Sequence, residues 1–175
     1  MVIKNDLISG LISLLNDEDK AISQKIINCL AELDYKPHRQ KVRGYVLSFK
    51  NRKVGQVIAK IGVHYGKNRV FFSLKFFACK NPPDKYKVAI KNAIAIEKER
   101  YACVDCGVCK IPAIGRGYFY TYEDGRTFKR CSTYVIEIPD LHLEDVDSIN
   151  ELLKKQHHYF LSLIQGIGIK PSLTN

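Results

Sequence analysis

Residues 103–131 read CVDCGVCKIPAIGRGYFYTYEDGRTFKRC, and the predicted fold is arranged around this stretch. It contains four of the six cysteines, and three of them fall within residues 103–109. In a Cys-x-x-Cys unit the short intervening loop curls back, so that both thiolates can face one point. Gly107 follows the second cysteine, and glycine readily adopts the left-handed conformation that such a curl needs. The stretch therefore predicts a cluster of converging thiolates.

Zinc is the metal that this spacing favours. The unit Cys103-x-x-Cys106-Gly107 resembles one knuckle of a zinc ribbon, in which thiolates are the usual ligands. A structural zinc site normally has four ligands. We therefore expect a structural zinc site made by Cys103, Cys106, Cys109 and Cys131.

A predicted β-hairpin brings the fourth cysteine back to the cluster. The Asp-Gly pair at 124–125 is a strong signal for a two-residue turn. Such a turn pairs Glu123 with Arg126, and counting outward pairs Tyr118 with Cys131. The hairpin would thus place Cys131 close to the three cysteines that precede it.

An iron–sulfur cluster is the alternative cofactor. The run from Cys103 to Cys109 resembles the opening of a bacterial ferredoxin motif, which continues with a further cysteine and then a proline. Here Ala113 stands in place of that cysteine, and Pro112 precedes it. A cluster would therefore need Cys131 as its fourth ligand.

Ordinary thiols or redox-active thiols are the remaining interpretation of these cysteines. Cysteine is also a common small buried residue, and Cys29 and Cys79 are interpreted in that way. One of the five histidines could replace Cys109 or Cys131 as a ligand.

Positive charge is concentrated in the middle of the chain. The net charge of the 175 residues is +10. Residues 36–100 contain 17 basic and 3 acidic residues, and 17 − 3 gives +14 for this segment alone. A concentrated positive field favours polyanionic partners, chiefly nucleic acid. The alternative is a solvated lysine-rich surface with no partner.

Hydrophobic periodicity predicts an α+β fold in a single domain spanning residues 1–175. An antiparallel three-stranded meander and a hairpin pack with about four helices, and the cysteine-rich metal loop lies between them. Asn16 is the expected cap of the second helix. Helices are predicted at 6–15, from 17 to before Pro37, at 84–101 and from 144 onward, and strands at 40–50, 54–65, 70–79, 117–122 and 127–138.

This order of elements resembles that of the small bacterial α+β domains called YdhG-like. The resemblance covers roughly residues 5–165 and is one of arrangement. It implies a fold of this kind and carries no functional residue across.

Alternation along the meander predicts one buried face and one partly exposed face. The exposed face would carry Lys60, His64, Phe71, Lys75 and Phe77. Basic residues interleaved with aromatic residues are typical of single-stranded nucleic acid binding. The alternative is that helices cover this face and the phenylalanines belong to the core. The expected phosphate contacts are Arg39, Lys41, Arg43, Lys60, Lys67, Arg69, Lys75, Arg126, Lys129 and Arg130.

Catalytic motifs are not found: there is no P-loop, no Gly-x-Ser-x-Gly elbow and no His-Glu-x-x-His. A non-enzymatic binding role is therefore favoured. A small-molecule or metal-handling protein with an apolar cavity beside Tyr118 and Tyr120 is a second hypothesis, and a redox protein is a third. The sequence shows no apolar run long enough for a membrane span and no signal peptide. We expect a cytoplasmic protein with reduced cysteines and no membrane partner.

Overall fold

The computed structural model describes residues 3–66, 69–96 and 117–166, and it confirms the α+β class. Within these residues there are four α-helices and seven β-strands. They are α1 (Ile3–Ile12), α2 (Asp17–Glu32), β1 (Lys36–Arg39), β2 (Gly44–Asn51), β3 (Gln56–His64), β4 (Val70–Leu74), α3 (Asp84–Ile96), β5 (Tyr118–Thr121), β6 (Thr127–Arg130), β7 (Ile136–Ile138) and α4 (Val146–Gly166).

Five strands form an antiparallel sheet in the order β1-β2-β3-β4-β7, and β5 pairs with β6 in a separate two-stranded sheet. The meander is thus larger than the sequence predicts. The strand β1 lies where a loop was expected, before the predicted start of strand 40–50. The predicted strand 127–138 is divided into β6 and β7, because a turn in which Tyr134 N–H donates to the Cys131 carbonyl interrupts it.

One face of the five-stranded sheet carries the core. Leu47, Ile61, Phe72 and Ile138 are aligned across β2, β3, β4 and β7, and all are at most 3% exposed. Fully burying a side chain of this size stabilises the fold by about 1.5–3 kcal/mol. The helices α2 and α4 contribute to the same cluster through Ile22, Ile26, Leu30, Ile149 and Leu153.

Helix α2 begins as the sequence predicts. The Asn16 side chain accepts a hydrogen bond from the Asp19 N–H at 2.8 Å, which satisfies one of the free donors of the first turn. Three acidic residues occupy that turn, where the helix dipole favours negative charge.

The register of the β5–β6 hairpin differs by one residue from the prediction. Tyr118 lies opposite Arg130, whereas the sequence analysis paired Tyr118 with Cys131. The loop has three residues, since Tyr122 N–H donates to the Arg126 carbonyl. Gly125 takes a φ of +81° at the third loop position, which is the left-handed residue of a three-residue hairpin loop. The two-residue turn was therefore the wrong choice.

A β-bulge in β3 determines which residues lie on the face of the sheet opposite the core. Phe49 pairs with Ala59 and Lys50 with Val57, so that Ile58 is the extra residue on β3. Val57 and Lys60 consequently lie on the same face, although strict alternation would separate them. We call this second face the polar face; its central row, aligned from β1 to β7, is His38, Ser48, Lys60, Ser73 and Glu137.

None of the helices in the described ranges is long and apolar enough to cross a membrane.

Candidate anion-binding face

Residues 35–83 contain no aspartate or glutamate and twelve lysines and arginines. The strands β1 to β4 all fall inside this stretch. The strands β1, β2 and β3 and the segments that connect β1 to β4 therefore carry positive charge without any carboxylate of their own. Their fields add, because no alternating negative charge cancels them locally.

Most cations of the stretch lack a carboxylate partner. Lys36 pairs with Asp34 at 2.5 Å, and Arg69 pairs with Asp140 at 2.5 Å. Among the residues that the structure describes, seven cations of the stretch form no ion pair: Arg39, Lys41, Arg43, Lys50, Arg52, Lys53 and Lys60. Lys60 is half-buried, and the other six are exposed.

Two loops meet at one end of the sheet. Gly44 lies opposite His64, so the β1–β2 loop adjoins the β3–β4 turn. We call this region the basic loop end. Tyr65 is 78% exposed there, which is unusual for a large aromatic side chain in a soluble protein. The cations of the basic loop end are Lys41, Arg43 and Arg69, and Lys67 falls outside the described residues.

Arg39 holds the β1–β2 loop in shape. Its guanidinium donates to the Gly44 carbonyl at 2.6 Å and to the Val46 carbonyl at 3.3 Å. It also lies over the Tyr45 ring, 4.1 Å from the ring centroid. These contacts fix the position of the loop that presents Lys41 and Arg43.

A groove with a volume of about 430 Å³ crosses the polar face. Lys75 is 4% exposed there, and its ammonium donates to Gln56 Oε1 at 3.1 Å. The Gln40 amide donates to Ser48 Oγ at 2.6 Å. We call this hollow the lysine groove; it is lined by Gln40, Ser48, Val57, Lys60, Lys75, Thr133, Tyr134 and Val135, none of which is acidic.

The predicted row of exposed aromatics is not exposed. Phe71 is 9% and Phe77 is 5% exposed, so both rings are buried, although only Phe77 belongs to the hydrophobic core as the alternative expected. Phe71 stacks on His64 with ring centroids 4.1 Å apart. The pattern failed at Phe77 because β4 ends at Leu74, after which the chain turns into the core. There Phe77 contacts the rings of Tyr118, Tyr159 and Phe160.

The three predicted cations of the hairpin lie in different surroundings. Arg126 is exposed and pairs with Asp124 at 2.7 Å. Lys129 lies over the Phe119 ring at 5.5 Å. Arg130 is 8% exposed, and its Nη1 donates to the Ala93 carbonyl of α3 at 2.8 Å. Arg130 therefore joins the hairpin to α3, which is a structural role.

The predicted metal site lies mostly outside the described residues. Cys103, Cys106 and Cys109 fall there, and Cys131 is half-buried with its Sγ 3.1 Å from Thr133 Oγ1. No group of three or more potential ligand side chains occurs within the described ranges. Cys29 is 4% exposed, as expected, and burial is the main cause that raises its thiol pKa.

An aromatic cavity of about 260 Å³ adjoins the β5–β6 hairpin. Tyr118 and Tyr120 both line it, which is the feature that the second functional hypothesis requires. Tyr118 is 2% exposed, and burial raises its hydroxyl pKa above the ordinary value. The lining residues are Phe77, Cys79, Lys80, Pro82, Lys87, Ile90, Gly117, Tyr118, Phe119, Tyr120 and Thr121.

The histidine pair on α4 has a packing role. His157 is 9% exposed, and its Nδ1 lies 3.3 Å from the Tyr35 hydroxyl. Burial, followed by the neighbouring His158, lowers the pKa of His157. His158 is exposed.

Sequence reasoning missed most of the lysine groove. Gln40, Ser48, Thr133 and Tyr134 carry no motif, and they are brought together by strand pairing and by the turn after β6. The available signal was the absence of acidic residues from 35 to 83, which marks the whole sheet rather than the groove.

No family model, curated protein or solved structure matches this chain. The resemblance to YdhG-like domains therefore stays a prediction. Fold and site together define an α+β protein in which strands β1 to β4 and their connecting segments contain no carboxylate.

Proposed function

We propose that this protein is a non-enzymatic binding module whose anionic partner is nucleic acid. The observation that supports the proposal is the stretch 35–83, which has twelve cations, no acid and seven cations without an ion pair among the described residues. Lysine and arginine that neutralise phosphates release counterions, and this release drives most nucleic acid binding.

The basic loop end supplies the main contacts. Lys41 and Arg43 lie on a loop that Arg39 holds in place, and Arg69 lies on the adjoining turn. Tyr65 offers an exposed ring for stacking with a base, which is worth about 1–3 kcal/mol for each base stacked. A single strand suits this surface, since its bases are free to stack.

A structural zinc ion completes the same module, with Cys103, Cys106, Cys109 and Cys131 as its ligands. Support comes from the ligand spacing and from the half-buried thiol of Cys131, which directly follows β6. The zinc would join the segment after α3 to the β5–β6 hairpin and would take no part in chemistry. An iron–sulfur cluster on the same four cysteines is the alternative.

Fluorescence anisotropy of a labelled single-stranded DNA at several salt concentrations tests the nucleic acid proposal. The logarithm of the binding constant should fall with the logarithm of salt by about 0.7 for each phosphate contacted. The double variant Lys41→Ala/Arg43→Ala should reduce this slope by about 1.4, since it removes two contacts.

The double variant Lys25→Ala/Lys155→Ala is the matched control. It removes the same charge from exposed positions on α2 and α4, away from the sheet. Its slope should equal that of the wild type. Absence of binding at low salt, or binding that does not respond to salt, would contradict the proposal.

A second candidate function is favoured by the aromatic cavity of about 260 Å³. Ligand sites in proteins usually have volumes of about 300–1,000 Å³, so this cavity suits only a small aromatic molecule. Lys80 and Lys87 on its lining would favour an acidic group. Screening small aromatic acids by thermal shift tests this candidate, and loss of any stabilisation in Tyr120→Ala would assign it to the cavity.

A further inference from the structure

The lysine groove differs from the rest of the basic surface because it is concave and partly desolvated. The β-bulge at Ile58 turns Val57 and Lys60 toward the same side, and Lys75, the residue directly after β4, also lines the groove. Lys60 is flanked across the strands by Ser48 and Ser73. Two lysines thus contribute to the lining of one hollow.

Lys60 is available to a ligand in this position. It is half-buried, and it forms no hydrogen bond or ion pair with any residue that the structure describes. Its ammonium group is not among the buried polar atoms that lack a partner, so solvent reaches it. An anion that enters the groove from solution can therefore contact this ammonium group directly, and such charged hydrogen bonds are the strong ones.

The remaining lining suits an anion as well. Ser48, Thr133 and Tyr134 bring hydroxyl groups, and Gln40 brings an amide. Anions are bound by such neutral donors together with a cation, and the charged hydrogen bonds are the strong ones. None of the lining residues that the structure describes is acidic, and Glu137, in the same row of the polar face, is separated from Lys60 by Ser73.

Size and charge narrow the ligand class. The volume of about 430 Å³ falls within the usual range for a small-molecule site and exceeds what an inorganic anion alone would fill. Two ammonium groups match the charge of about −1.5 to −2 that a phosphate monoester carries at neutral pH. A phosphate monoester with an organic part therefore fits better than a simple carboxylate.

We propose that the lysine groove is a binding site for a phosphate monoester of about nucleotide size, with Lys60 and Lys75 as its charged contacts. This site is separate from the basic loop end and does not depend on nucleic acid binding there. A terminal phosphate of an oligonucleotide carries the same chemistry, so the test has to separate the two sources.

Isothermal titration calorimetry with adenosine monophosphate, inorganic phosphate and adenosine tests the site. We expect the monophosphate to bind, phosphate to bind more weakly and to compete, and adenosine not to bind. Failure of both phosphate-bearing probes to bind at concentrations up to about 10 mM would overturn the proposal, since this limit corresponds to less than about 3 kcal/mol of binding free energy.

Lys60→Met removes the charge and keeps the length of the side chain. It should weaken monophosphate binding at least tenfold, whereas Lys50→Met, an exposed lysine on β2 outside the groove, should change it less than threefold. If both variants weaken monophosphate binding equally, the binding comes from the general positive charge of the surface and not from a site, which would overturn the proposal. If Lys60→Met does not fold, the amide chemical shifts of the wild-type protein locate the binding site. Adenosine monophosphate should shift the amide signals of residues 57–60 and 133–135. Shifts confined to residues 40–43 and 65–69 would overturn the proposal.

Testing both ligands against the variants of both sites separates this proposal from the nucleic acid proposal. Lys41→Ala/Arg43→Ala should lose oligonucleotide affinity and keep monophosphate affinity. A 5′-phosphorylated oligonucleotide that binds tenfold more tightly than its unphosphorylated form, and loses this difference in Lys60→Met, would identify a nucleic acid end as the source of the phosphate. Equal affinity of both forms, with monophosphate still bound, would identify a free ligand.

Discussion

Arg130 lies directly opposite Tyr118 in the β5–β6 hairpin, and the two side chains fasten the hairpin to different parts of the fold. Arg130 donates to the Ala93 carbonyl of α3. The Tyr118 hydroxyl accepts a hydrogen bond from the Phe76 N–H at 3.3 Å. A register one residue away would have put Cys131 in place of Arg130 and left α3 without this contact.

Tyr118→Phe should lower the free energy of unfolding by about 1–3 kcal/mol, because it leaves the buried Phe76 N–H without its acceptor. Urea unfolding followed by circular dichroism measures the change. Tyr122→Phe is the control: the Tyr122 ring packs on Tyr120 and Phe128, but its hydroxyl forms no hydrogen bond with any residue that the structure describes, so the change should stay within about 0.5 kcal/mol. Equal effects of the two variants would contradict this account.

Gly62→Ala should destabilise the sheet by about 1–3 kcal/mol. An added Cβ at position 62 would lie 2.4 Å from the Tyr45 carbonyl oxygen and 2.7 Å from the Val46 Cα, both of which are backbone atoms that cannot rotate away. Thermal unfolding checks this. Gly166→Ala, where nothing lies within 4 Å of the added atom, should leave the melting temperature nearly unchanged, and a similar drop there would point to a different cause.

Stability should fall as the pH is lowered from 7.5 to 5.5, and His157 should account for part of the fall. Its pKa in the folded state is lowered by burial, so the unfolded chain takes up the proton more readily below about pH 6.5. The contribution of neutral His157 to stability is complete above the pKa that the residue has in the unfolded chain. It is lost as the pH falls through the lower pKa of His157 in the folded protein. His157→Gln should reduce the slope of unfolding free energy against pH, whereas His38→Gln, an exposed residue, should not; equal slopes in all three proteins would exclude this role.

Lys85→Met should lower the free energy of unfolding by about 1–2 kcal/mol at pH 7. Burial acts to raise the pKa of Asp145, but the hydrogen bond from Lys85 and the other favourable contacts of the carboxylate outweigh it, and the pKa is lowered overall. The benefit is present above the unfolded pKa of about 3.9 and disappears as the pH falls through the lower folded value.

The difference between wild type and Lys85→Met should therefore shrink between pH 5 and pH 2, as followed by urea unfolding. Lys87→Met removes an exposed pair with Asp84, so it should change the free energy of unfolding much less than Lys85→Met does at pH 7. A difference for Lys85→Met that stays constant with pH would show that Asp145 is not the partner that matters.

Elemental analysis of anaerobically purified protein should find one zinc per chain, and a chelator should lower the melting temperature. A structural zinc contributes on the order of 10–16 kcal/mol in zinc-finger peptides, so its removal should be plainly visible. Cys131→Ser should lose zinc, and Cys79→Ser should retain it. Iron with visible absorption would favour the iron–sulfur alternative, and four free thiols without metal would contradict both.

Local signals in the sequence were reliable where they act over a few residues. The Asn16 cap and the α2 helix were predicted from capping chemistry, and the structure confirms both. The alternation in β3 and β4 predicted strands correctly, because a period of two marks a half-buried strand whatever it pairs with. The same alternation gave the wrong face for Val57, since a bulge depends on the partner strand.

The hairpin shows a similar limit. Asp124-Gly125 fits both a two-residue and a three-residue loop, and the choice depends on which register lets Tyr118 and Arg130 reach their partners. Burial of Phe77 was equally out of reach, because it requires α4, which lies more than sixty residues later in the chain.

The sequence by itself determined the α+β class, the starts of α2 and α3 and the concentration of positive charge in residues 35–83, because each of these follows from composition or from short-range signals. Only the tertiary structure decided which cations are exposed, which are buried and which share a groove. That distinction depends on strand register, one bulge and the turn at 131–134. Register and bulge are set by pairing with another strand, which the pattern of one strand alone does not contain.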